Sequence, residues 1–91
     1  MSAPSARVNV TLPNEQGLHA RPSALIVRTA NKFEAVVTMR VGERSADCKS
    51  IMEVMMLASP QGTILAFEAS GADASAAVQA LAELVGRGFG E

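Results

Sequence analysis

Apolar residues in this chain recur with a period of two in four short stretches and with helical spacing between them. That alternation constrains the fold more than any other feature. Val8, Val10 and Leu12 alternate with Asn9 and Thr11, which predicts a half-buried strand ending at the turn-like Pro13-Asn14-Glu15-Gln16-Gly17. Ala35, Val37, Met39 and Val41 alternate again, and Gly42-Glu43 separates them from Arg44–Cys48, where Ala46 and Cys48 hold the apolar phase. Glycine at the first central position of a two-residue loop predicts a type II′ hairpin there. Leu65, Phe67 and Ala69 mark a fourth strand. Between these runs, Ala20 to Asn31 lacks glycine, carries Pro22 near its front and spaces Ile26, Val27 and Ala30 as a helix does. Ser50-Ile51-Met52-Glu53 has the S-x-x-E form of a capping box and opens a short helix, Ile51 to Leu57. Asp73 is placed to N-cap a last helix whose stripe is Ala77, Val78, Leu81, Leu84 and Val85, stopped by Gly86 and Gly88. The order is βαββαβα in a single domain, 1–91. It predicts an α+β open-faced sandwich, a four-stranded antiparallel sheet with helices on one face.

The chemistry open to such a domain is limited by what it lacks. Eight Lys and Arg against nine Asp and Glu leave no positive excess to neutralise a nucleic-acid backbone or an anionic membrane. Three Phe without Trp or Tyr provide no stacking platform for bases. One His and one Cys cannot complete a zinc site, and no cofactor or metal is expected. No apolar run reaches the roughly 20 residues that span a bilayer. Met1 to Arg7 is short and polar, unlike a secretory signal, so a cytoplasmic monomer is expected. Cys48 falls on the inward phase of the third strand and is expected to be a small core residue without redox function. Met39 belongs to the strand core. The middle helix, by contrast, carries Ile51, Met52, Val54, Met55, Met56 and Leu57, more apolar residues than one buried face can hold. Part of that surface is therefore expected to be exposed as a docking patch.

The segment Gly17-Leu18-His19-Ala20-Arg21-Pro22 concentrates the reactive groups. It sets the only imidazole of the chain at the front of a predicted helix, where backbone N–H groups and the positive end of the macrodipole favour an anion. A neutral imidazole offers a nitrogen lone pair to phosphorus, and Arg21 supplies a permanently charged donor fork suited to phosphate oxygens. Gly17 permits a sharp turn into the site, and Pro22 stiffens the first helical turn without removing a needed donor. These are the parts of a phosphohistidine carrier: a nucleophile, a place for about two negative charges, and exposure to successive partners. On the residues alone a plainer alternative stands beside it, in which His19 only caps the helix and Arg21 is a solvated charge.

Together with Lys49-Ser50-Ile51-Met52, the Ala69-Ser70-Gly71-Ala72-Asp73 lead into the last helix and the Gly88-Phe89 tail, that segment resembles the HPr family. These are the histidine-containing phosphocarriers of the phosphoenolpyruvate-dependent phosphotransferase system. The resemblance covers essentially the whole chain. It implies that His19 accepts a phosphoryl group at Nδ1 from the first enzyme of the system and passes it to a histidine on a downstream acceptor domain. Arg21 would neutralise the phosphate and Pro22 would shape the helix start. Partners would dock on Ala20, Arg21, Ala24 and Arg28 together with Ile51, Met52 and Met55. Ser50 aligns with the serine that an ATP-dependent kinase phosphorylates in many members, a modification that promotes binding to a transcriptional regulator. Here Glu53 stands where regulated members commonly have glycine, and its carboxylate would repel a phosphate at the same helix end. The alternative to a carrier is a regulatory docking module whose binding is switched at His19 or Ser50. Glu15 and Gln16 lengthen the loop, and Val54-Met55-Met56-Leu57 with Arg87-Gly88-Phe89 looks like the nitrogen-related branch. Lys49–Met52 looks like the sugar branch, so the acceptor is not read from these residues.

Overall fold

A computed structural model describes residues 4–90; Met1, Ser2 and Ala3 of the polar N-terminal stretch, and Glu91 at the end of the expected domain, lie outside the described residues. The elements are β1 (Ser5–Thr11), α1 (Ala20–Ala30), β2 (Val36–Val41), β3 (Arg44–Asp47), α2 (Ile51–Met55), β4 (Ile64–Ser70) and α3 (Ala74–Gly86). A single 3-10 turn, Gly88–Gly90, closes the described chain. The four strands form one antiparallel sheet in the order β1-β4-β2-β3. The expected α+β open-faced sandwich is the one observed.

Alternation decides which side of the sheet is covered, because successive side chains on a strand point to opposite faces. Val37 and Met39 on β2, and Leu65, Phe67 and Ala69 on β4, point under the helices and are buried. The other phase holds Val36 and Ile64, 67% and 60% exposed, and the ion pairs of Glu68 with Arg7 (3.3 Å) and Arg40 (3.7 Å). α3 lies across β1, β4 and β2, while α1 packs on α2 and α3. Ile26 and Ala30 of α1, Val54 of α2, and Leu81 and Val85 of α3 meet in the resulting core. At about 25 cal/mol per Å² of apolar area, burial of each large side chain contributes roughly 1.5–3 kcal/mol.

Several boundaries differ from the expected ones, each for a local reason. β2 begins at Val36 rather than Ala35, since the Ala35 N–H is taken by the Asp73 carboxylate at 2.8 Å. α2 ends at Met55 with Met56 as C-cap, and the Arg44 guanidinium donates to the Met56 carbonyl at 2.9 Å. α3 runs through Gly86, and Arg87 is its C-cap. Asp73 occupies the N-cap position of α3 but makes no side-chain cap bond. Its carboxylate accepts from Glu34 N and Ala35 N instead, tying the α1–β2 connection to the start of α3. Gly42 adopts φ +60°, as the first central position of a type II′ turn requires, and Val41 pairs with Arg44 across it. Among the described residues no helix is long and apolar enough to cross a membrane.

Candidate functional site

Gly17 determines how the chain enters α1. Its φ of +70° lies in the left-handed region, and a Cβ built there would collide with the Ser59 carbonyl oxygen. The turn is held by Gly17 N donating to Asn14 O (3.0 Å) and Asn14 Nδ2 donating to Gly17 O (2.6 Å). One residue on, Leu18 N donates to Ser59 O at 2.8 Å, an isolated antiparallel bridge to the α2–β4 connection. Further along, Leu12 N donates to Thr63 O, Gly62 N to Leu12 O, and Gln61 Nε2 to Pro13 O. The loop before the helix is thus clamped to residues 59–63, a support with no motif to announce it, since it is built from backbone groups.

His19 is the N-cap of α1, in extended conformation (φ −113°, ψ −167°). Its carbonyl accepts from Ser23 N at 3.0 Å, whereas its side chain makes no cap bond. The ring is half-buried and its Nε2 is buried. Pro22 and Ser23 are buried beneath the first turn, so the helix start rests on the core. Pro22 occupies the first turn, where helix geometry leaves N–H groups without intrahelical acceptors, so its missing donor costs nothing. Arg21 is exposed and borders a shallow open depression with Pro13, Asn14, Glu15 and Gln16. The two loop residues Glu15 and Gln16 therefore lie on the rim beside the guanidinium.

The docking residues expected on α1, Ala20, Arg21, Ala24 and Arg28, are all exposed. On α2, Ile51 is 37%, Met52 71% and Met55 44% exposed, while Val54 and Leu57 are buried. α1 and α2 pack against one another, so the two sets belong to neighbouring helices. Met56, 68% exposed, joins this apolar group and was not singled out from the sequence. The signal was available: Met56 stands four residues beyond Met52, on the same side of a helix, whereas Val54 and Leu57 share the opposite side.

Ser50 is the N-cap of α2, and its Oγ accepts from Glu53 N at 3.3 Å. The reciprocal half of the expected capping box is rerouted, because the Glu53 carboxylate accepts from Asp47 N at 3.1 Å rather than from Ser50 N. Ser50 N is instead turned onto the Asp47 carbonyl at 3.0 Å. Lys49 reaches the Phe33 carbonyl with its ammonium at 2.7 Å, joining this corner to the end of α1. Cys48 is fully buried, and burial, with a smaller contribution from the Asp47 charge, pushes its thiol up to about 12. It is a core residue, as its strand phase predicts. Asp73 is shifted the other way: the Glu34 N–H, aided by that of Ala35, holds its carboxyl below the usual value against the opposing effect of desolvation. No group of three or more His, Cys, Asp or Glu positioned for a metal occurs among the described residues.

The chain is similar to known proteins in both sequence and fold. The PTS-HPr family model, the PTS HPr component phosphorylation site, matches residues 6–87. The phosphocarrier protein HPr of Xylella fastidiosa is 43% identical over 82 residues, spanning 90% of this chain and 92% of that protein. The multiphosphoryl transfer protein of Haemophilus influenzae is 40% identical over 84 residues, 89% of this chain but 17% of that protein. Among solved structures, HPr-C-His from Thermoanaerobacter tengcongensis superimposes with a TM-score of 0.89 at 38% identity, covering 94% and 97% of the two chains. A phosphocarrier protein HPr from Bacillus anthracis gives 0.83 at 36% identity, covering 89% and 96%.

Proposed function

Since the chain belongs to the HPr family of phosphocarriers of the phosphotransferase system, we propose that His19 is the residue that carries the phosphoryl group. The observation that supports this most directly is the state of its imidazole: at the N-cap of α1, half-buried, not engaged in capping, with Nε2 buried. Burying one ring nitrogen leaves Nδ1 as the one to meet a donor. The Nδ1 lone pair attacks the phosphorus presented by the first enzyme, the bond from phosphorus to the donor group breaks with its electron pair leaving on the donor, and a P–N bond forms on His19. Transfer to a histidine on the downstream acceptor domain repeats the exchange in the opposite sense. The protein is then a covalent intermediate, acting between partner enzymes in the cytoplasm and needing no cofactor of its own.

The electrostatics suit a transient anion. The start of α1 presents the positive end of the macrodipole, and Arg21 is exposed beside it to hydrogen-bond the phosphate oxygens. Pro22, buried below, fixes the geometry of that first turn. The partners dock in this reading on the exposed faces of α1 and α2: Ala20, Ala24 and Arg28 with Ile51, Met52 and Met55, to which Met56 is added. The chain acts as a monomer that meets each partner in turn, and its acceptor belongs to either the sugar or the nitrogen-related branch.

The second reading, a docking module switched at Ser50 by a serine kinase and read by a transcriptional regulator, has one observation for it. Ser50 sits at the N-cap of α2, the helix that carries Ile51, Met52 and Met55. Against it, Glu53 is already bonded into that corner through Asp47 N, and its carboxylate opposes a second anion. The test is incubation with phosphoenolpyruvate and the first enzyme of a phosphotransferase system, followed by intact mass and acid stability of the adduct. One acid-labile phosphoryl group that is absent in a folded His19→Ala variant is the expected result. Full acceptance by that variant would overturn the assignment.

A further inference from the structure

Among the described residues, the sulfur atoms are sorted by exposure into two sets. Cys48 and Met39 are fully buried, whereas Met52, Met55 and Met56 are 71%, 44% and 68% exposed and lie within one turn of α2 and its cap. Burial also holds the Cys48 thiol protonated, with its value pushed up to about 12, so the one thiol of the protein offers no thiolate to an oxidant. The thioethers have no such protection. Thioether oxidation needs no deprotonation, only access to the sulfur. Access exists here at three neighbouring sites and is denied at Met39.

We propose that Met52, Met55 and Met56 form a reversible oxidation site by which a peroxide weakens docking of this protein to its phosphoryl-transfer partners. This rests on the reading that α2 is part of the docking surface. In each step a thioether sulfur lone pair attacks the terminal oxygen of a hydroperoxide, the O–O bond breaks and an S–O bond forms. Sulfur is oxidised by two electrons to the sulfoxide, while the hydroperoxide, keeping its proton, is reduced to the alcohol or to water. The product side chain is polar where it was apolar. The change disfavours burial of α2 under a partner, while Val54 and Leu57, which hold α2 to the core, contain no sulfur. His19 and Arg21 are not touched by the modification, so the surface for meeting a partner is altered and the group that accepts phosphate is not.

The experiment treats the full chain with hydrogen peroxide and maps the added oxygen by peptide mass. It then measures phosphoryl acceptance from the first enzyme as a function of carrier concentration. Oxygen is expected on Met52, Met55 and Met56 but not on Met39 or Cys48. KM for the carrier should rise about tenfold, the size expected when contacts at the centre of an interface are lost, with kcat held. Methionine sulfoxide reductases should restore the original KM. A Met52→Leu, Met55→Leu, Met56→Leu variant, referred to its own untreated KM, should lose the response to peroxide. An unchanged KM after complete oxygenation, a response that persists in the leucine variant, or loss of the folded far-ultraviolet spectrum on oxygenation would each overturn the proposal. Failure of the untreated protein to accept phosphate is a separate result, overturning the carrier reading and this one with it.

Discussion

In the proposed carrier, two residues near His19 bear on its work by different physics. Arg21 is exposed, so Arg21→Ala should shift the urea midpoint little while slowing phosphoryl acceptance by about ten- to a hundredfold through lost charge stabilisation. Stopped-flow or quenched acceptance assays check this, and unchanged rates would make the guanidinium incidental. Gly17 acts through space and backbone. A methyl group at Gly17 would press on the Ser59 carbonyl and hold alanine at φ +70°, so Gly17→Ala should cost about 1–3 kcal/mol and displace the loop that carries His19. Gly42→Ala makes the control. Gly42 also has positive φ but nothing within 4 Å of a Cβ, so only the backbone penalty of about 1 kcal/mol should appear in denaturant unfolding.

At the scale of elements, the side chains of α2 and its cap are divided between core and surface. Val54 and Leu57 anchor it and the methionines face outward. Met52→Asp should therefore weaken association with the first enzyme without lowering thermal stability, whereas Val54→Ala should do the reverse, costing about 2 kcal/mol of stability. Calorimetric titration and thermal unfolding separate the two outcomes. The same helix shows what was legible from sequence and what was not. Period-two runs located all four strands, and the surplus of apolar residues in Ile51–Leu57 foretold an exposed patch, because both are statements about which side chains must leave water. The destinations of polar side chains were not legible. The S-x-x-E pattern predicts a reciprocal box, yet Glu53 bonds Asp47 N, and Asp73 bonds two backbone groups of the α1–β2 connection rather than its own helix. Those partners are distant in sequence or offered by a turn, and local spacing carries no information about them. The placement of His19 and Arg21 at the start of α1 was legible because a helix start is a local pattern. The clamp on their loop was not, being made of carbonyls and N–H groups that every residue has.

For the molecule as a whole, Asp73 links acidity to stability. Its carboxyl is held below the ordinary range by the Glu34 and Ala35 N–H groups, so the folded state binds its proton less readily than the unfolded chain does. The stabilisation is complete above the unfolded carboxylate value, near about pH 4, and is lost as pH falls through the lower folded value. Urea midpoints of the native protein and Asp73→Ala should therefore differ by a constant amount from neutral pH down to about pH 5 and converge below it. A difference that does not shrink in acid would remove Asp73 from the account.

The strand order has a consequence for how the molecule comes into being. β1 hydrogen-bonds only β4 in the sheet, and β4 also separates it from β2 and β3. On the ribosome β1 must therefore wait for β4, because α1, β2, β3 and α2 are all made before its partner. At about 5–20 residues per second, that wait lasts several seconds. During it β2 and β3 can form their hairpin, but Val8, Val10 and Leu12 have no sheet to join. Such long-range pairing predicts that the nascent chain folds late and in one step, once β4 is free to enter between its neighbours.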